Sequence, residues 1–75
     1  MLNEFYMNVN GKEYRYIVVD FLPDEPVYDE NGEAISNEDC YQCLVEDVEK
    51  DQILPNSEYV YISQMKEAYD FTYEN

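Results

Sequence analysis

The clearest pattern in the chain is a pair of β-rich runs that meet at Asn10-Gly11. Phe5-Tyr6-Met7-Asn8-Val9 precedes that dipeptide and Lys12 to Phe21, KEYRYIVVDF, follows it. Asn-Gly between two such runs is a strong short-range hairpin signal, because a type I′ turn needs positive φ at both central positions. The sequence therefore predicts an N-terminal β-hairpin. In its second strand Tyr14, Tyr16 and Val18 share one face, and Arg15, Ile17 and Val19 the other. Tyr16 to Val19 is apolar on both faces, as in a central strand.

Beyond Phe21 the pattern changes. Pro23 and Pro26 predict a break in regular structure. Val27-Tyr28 and Ala34-Ile35 flank Asp29-Glu30-Asn31-Gly32-Glu33, which predicts a short, irregular hairpin around Asn31-Gly32. Ser36 with Asp39 three residues on is close to a capping box. Tyr41, Leu44, Val45 and Val48 follow at helical spacing, so a helix is expected over residues 36–50. The competing reading there is a strand, with Tyr41, Cys43 and Val45 on one face. Pro55-Asn56-Ser57 reads as a turn and Glu58 to Ser63 as a strand. The tail fits a helix through Ile62, Met65 and Tyr69, and equally a strand through Tyr69, Phe71 and Tyr73. These elements add up to a single α+β domain over residues 1–75. It would hold a small antiparallel sheet that starts with the N-terminal hairpin, with one helix packed on it. An all-β meander is the alternative.

Charge adds what periodicity cannot. The chain carries 18 Asp and Glu against 4 Lys and Arg, a net of −14. That is beyond the magnitude of about 2–8 that suits a small soluble domain, and it costs stability through self-repulsion. Residues 1–19 are neutral overall, and residues 20–51 hold a net of −11. Within them, residues 20–39 (DFLPDEPVYDENGEAISNED) contain eight acids and no base. A surface like this disfavours direct contact with nucleic acid or an anionic membrane, since both are negative. No stretch is long and apolar enough to span a membrane, and the N-terminal residues lack the basic and apolar regions of a signal peptide. The expected location is the cytoplasm, with both cysteines reduced.

The parts of an active site are missing. The chain has no His, so neither Ser-His-Asp nor Cys-His catalysis is available. Its two glycines do not form a phosphate loop. Cys40-Tyr41-Gln42-Cys43 is a C-x-x-C, but it lacks a thioredoxin-like context and the second ligand pair of a zinc site. Residues 27–38 can be laid over a calcium loop, with Asp29, Asn31, Gly32 and Glu38 at ligand or turn positions. Val27 then falls at the first position, where a carboxylate is required. No enzyme activity and no cofactor are expected.

The acidic surface is the remaining signal. Basic grooves hold nucleic acid through Lys and Arg on phosphates, and a rigid array of carboxylates can occupy such a groove instead. In size, charge and the acidic stretch PDEPVYDENGEAISNED, the chain resembles the small acidic DNA-mimic inhibitors of phages and mobile elements. That class includes anti-CRISPR, anti-restriction and uracil-DNA glycosylase inhibitor proteins, which share no common fold. The resemblance implies an inhibitor that blocks the DNA- or RNA-binding groove of a host defence or nucleic-acid enzyme. Its partner would be a basic nucleic-acid-binding protein. The residues expected to face that partner are Asp20, Asp24, Glu25, Tyr28, Asp29, Glu30, Glu33, Glu38, Asp39, Glu46, Asp47 and Glu49. The alternative is a non-catalytic interaction module, antitoxin-like or an assembly subunit, that binds through Tyr-rich faces at Tyr59, Tyr61, Tyr69 and Tyr73.

Overall fold

The computed structural model describes residues 1–74. The described residues form six strands and one turn of 3-10 helix: β1 (Leu2–Val9), β2 (Lys12–Tyr28), β3 (Ala34–Asp47), β4 (Gln52–Ile53), β5 (Glu58–Tyr61), the 3-10 turn (Ile62–Met65) and β6 (Tyr69–Tyr73). All pairings are antiparallel, in the order β4-β3-β2-β1-β6, and β5 also pairs with β3. The sheet curls into an open half-barrel, so the all-β alternative describes the fold better than α+β.

The N-terminal hairpin forms as expected, from Val9↔Lys12 to Glu4↔Ile17. Asn10 and Gly11 have φ of 53° and 84°, the positive values a type I′ turn needs. The Gly11 N–H donates to Asn8 Oδ1 at 3.0 Å. On the concave face, Phe5, Tyr16 and Val45 stand in one row across β1, β2 and β3. The Phe5 and Tyr16 rings stack at 5.2 Å with their planes 1° apart, and Phe71 of β6 approaches Phe5 at 6.0 Å. Leu2, Cys43 and Val60 complete the buried cluster. Leu54, Met65 and Ala68, from the connections around β5, pack over it.

The expected helix over residues 36–50 does not form, and β3 occupies most of that range. The residues support both periods, and pairing decides between them. Tyr16 to Val19 needs a hydrogen-bonded neighbour on the side away from β1, and residues 40–47 supply it. The cost is that Leu44 and Val48, core positions in the helical reading, are left 38% and 36% exposed. With no helix at Ser36, Asp39 caps nothing and accepts the Asp24 N–H instead, at 3.1 Å.

Pro23 and Pro26 do not end β2, which runs on to Tyr28. The register slips between Leu22 and Glu25, and Asp24 there has a φ of 54°. A bulge of this kind leaves residues out of the ladder, so a proline without an N–H is tolerated beside it. The short hairpin expected around Asn31-Gly32 is thus the far end of one long β2–β3 hairpin. In the tail the strand reading is correct for β6, while Ile62 and Met65 belong to the 3-10 turn.

Candidate interaction surface

From Asp20 outward β2 has no neighbour on its β1 side, and beyond Cys40 β3 has none on its β5 side. β1 pairs with β2 only as far as Ile17, and β5 flanks β3 only from Cys40 to Cys43. Past these points the two strands continue alone as a ribbon, Glu25↔Glu38 to Tyr28↔Ala34, closed by the turn over residues 29–33. This arm carries Asp24, Glu25, Asp29, Glu30, Glu33, Glu38 and Asp39, together with Tyr28, and Asp20 stands at its root. The structure therefore gathers nine of the twelve expected partner-facing residues on one projection and its root.

The turn at the tip is built by its own first carboxylate. Asp29 Oδ1 accepts the N–H groups of Asn31 and Glu33 at 2.9 and 3.0 Å. The Gly32 N–H donates to the Asp29 carbonyl at 3.0 Å, and Gly32 takes a φ of 81°. Further down, Asp39 accepts the Asp24 N–H, Glu38 accepts the Ser63 N–H at 2.9 Å, and Asp20 accepts the Phe21 N–H at 2.9 Å. Backbone amides are neutral donors. They fix these four carboxylates in place and leave the negative charge of the arm intact.

Glu46, Asp47 and Glu49 lie at the opposite end of β3. Asp47 is buried, with 4% of its surface exposed, and its Oδ2 accepts from Lys12 Nζ at 2.9 Å. That hydrogen bond holds the Asp47 carboxyl below its usual range and raises the Lys12 ammonium. Arg15 pairs with Glu4 at 2.8 Å and with Glu46 at 3.4 Å, and its hydrogen bond with Glu4 lowers the Glu4 carboxyl. Asp47 and Glu46 are thus matched by cations within the fold. Glu49 is exposed in the turn that leads to β4. Two of the four cations of the chain are committed to this end, and no ion pair forms on the arm among the described residues.

The spacing of the arm charges can be compared with a phosphate backbone. Eight residue steps from Asp20 to Tyr28, where β2 ends, span at most about 26 Å at about 3.3 Å each. Eight carboxylates over that length give one charge per about 3.3 Å, close to the spacing of about 3.4 Å along a single nucleic-acid strand and about half the line charge of a duplex.

The two cysteines lie apart in space. On a helix, positions 40 and 43 would share a face; on β3 they point to opposite faces. Three strand steps set their Cα atoms about 10 Å apart, beyond the reach of a disulfide. Burial pushes the Cys43 thiol up to about 12 and raises Cys40 as well, so both are protonated at neutral pH. Neither a redox pair nor a zinc half-site is assembled. Among the described residues, no group of three or more potential metal ligands comes together, and no helix is long and apolar enough to cross a membrane.

The tyrosines named as an alternative interface divide between two places. Tyr6 and Tyr69 stack on each other at 6.0 Å, and Tyr73 on β6 is 68% exposed. Tyr59 and Tyr61 stand on β5 beside the root of the arm, where the Tyr61 hydroxyl donates to the Pro26 carbonyl at 2.9 Å. Sequence reading did not connect this pair to the acidic segment. Their alternation with Val60 was the available signal, since it places both on the face opposite the core. No family model matches this chain, and neither a curated protein nor a solved structure matches it.

Proposed function

We propose that this protein is a decoy for a nucleic-acid strand, using its acidic arm to occupy the basic groove of a DNA- or RNA-binding protein. The observation that carries the reading is the arm itself: eight carboxylates without a cation on one two-stranded projection and its root. A ribbon of this width can enter a groove, and carboxylates fixed by amide hydrogen bonds need little further ordering on binding. Their spacing favours a groove that holds one strand or follows one backbone. Binding driven this way weakens steeply with salt and competes with nucleic acid. The reading as a Tyr-based interaction module draws support from Tyr28 and Tyr59, which are 60% and 57% exposed on or beside the same arm.

The test is capture of partners from host lysate at low and high salt, with and without a competing oligonucleotide. It compares the wild type with the Glu25→Gln/Glu30→Gln/Glu33→Gln variant. None of these three side chains makes a hydrogen bond that the arm depends on, so the fold should be retained. The expected result is a basic nucleic-acid-binding protein that is captured at low salt, displaced by the oligonucleotide and held less well by the variant. Equal capture by the variant, or capture indifferent to salt and oligonucleotide, would refute the proposal.

A further inference from the structure

A cleft of about 350 Å³ lies where the arm meets β5, lined by Leu22, Glu25, Pro26, Tyr28, Cys40, Tyr59 and Tyr61. The pairing register explains its shape. Leu22, Cys40 and Tyr61 form one row across β2, β3 and β5, and Cys40 is 1% exposed beneath it. Tyr61 reaches over β3 to the Pro26 carbonyl and fixes one wall. Tyr28 and Tyr59 present their rings at the rim. Glu25 stands directly across from Glu38. No Lys or Arg lines the cleft, and the ion-paired cations Lys12 and Arg15 sit at the other end of the sheet.

An apolar floor, aromatic walls and a carboxylate without a cation together suit one class of ligand, a flat organic cation. A guanidinium is weakly hydrated, stacks on aromatic faces and pairs with a carboxylate through two parallel N–H groups. An ammonium is more strongly hydrated and gains less from a dry floor. A nucleobase or an anion would meet the negative field of the arm. We propose that this cleft is a receptor for an arginine side chain of the partner, with Tyr28 and Tyr59 holding the guanidinium plane and Glu25 pairing its edge. The inference rests on the decoy reading and adds to it a specific anchor. The arm brings a basic groove close, and the cleft selects arginine over lysine.

The test uses acetylated, amidated tetra-arginine and tetra-lysine peptides as probes, titrated at low salt and followed by calorimetry and by the tyrosine ring resonances. The wild type is expected to bind tetra-arginine several-fold more tightly than tetra-lysine. Each exposed ring should contribute about a two- to five-fold factor. The Tyr28→Ala/Tyr59→Ala variant should therefore lose the arginine preference while still binding both peptides through the arm. Tyr73→Ala, an equally exposed ring on β6, is the control and should leave both affinities unchanged. If the double variant keeps the full arginine preference, the cleft is not the receptor and the decoy reading stands. If the wild type binds neither peptide, both readings fall.

Discussion

Glu25 and Glu38 are register partners on the arm, so two like charges face each other across the ladder. Such a pair costs about 0.2–1 kcal/mol, and an opposite pair in the same place gains a similar amount. Glu25→Lys should therefore stabilise the arm by about 0.4–2 kcal/mol, nearer the lower figure because exposed pairs are screened. The arm is the part of the fold where this will show. Its outer half has no buried hydrophobic residue, whereas the rows around Phe5, Tyr16 and Val45 are dry. Local opening should thus govern amide exchange in the ribbon, and global unfolding should govern it in the core. The expected result is about 2- to 30-fold slower exchange at Tyr28, Ser36 and Glu38, with Tyr16 and Val45 nearly unchanged, read by hydrogen–deuterium exchange with NMR. At about 1 M salt, where the Debye length is about 3 Å, the wild type should approach the variant. The same substitution should weaken binding to a basic partner. Slower exchange combined with weaker binding would identify the repulsion as a cost maintained for recognition. Unchanged or faster exchange at low salt would refute the reasoning.

Two further outcomes follow from the core. The Cys43 thiol titrates at about 12 in the fold against an ordinary value of 9.0, so the unfolded chain loses its proton first. The stability contributed by this thiol is full below about pH 9 and falls as pH rises towards 12, and the raised Tyr16 hydroxyl adds in the same direction. The urea midpoint should fall between neutral pH and a pH above 9, and a flat profile would contradict the burial of Cys43. Phe5→Ala removes a fully buried ring at a cost of about 3–5 kcal/mol. A chain of this length has only about 4–11 kcal/mol in total, so the variant should be partly unfolded by circular dichroism even without denaturant. A loss under about 1 kcal/mol would mean that Phe5 is not the centre of the core.

What the sequence made legible was local. Asn10-Gly11 announces its turn through backbone conformation alone, and the two-sided apolar run at Tyr16 to Val19 announces a central strand. Residues 40–48 satisfy both a helical and an alternating pattern, and only the unmet hydrogen bonds of β2 decide between them. Pro23 and Pro26 mislead for a related reason. They forbid ladder donors at two positions: a bulge takes in Pro23, and Pro26 lies where β2 has no partner on its β1 side, so neither ends the strand. The acidic stretch was visible as composition. Its layout was not, because the hydrogen bonds that order it join residues from opposite strands, Asp24 with Asp39, and even from the far side of β5, Glu38 with Ser63. For the same reason Glu46 and Asp47 looked like arm residues until the β2–β3 register placed them beside Arg15 and Lys12.

The pairing of β1 with β6 joins Leu2 to Tyr73, so the edge of the first strand stays bare until β6 is available. Contacts this distant in sequence make folding slow relative to a helical domain of equal size. During synthesis the β1–β2 hairpin and the β2–β3 ribbon can form early, while the apolar side of Phe5 waits for Phe71. In that interval the growing chain presents an unpaired strand edge, the usual starting point for misassembly. The repulsion between arms on neighbouring chains would keep such intermediates apart, so the acidic arm would also protect the folding chain from aggregation.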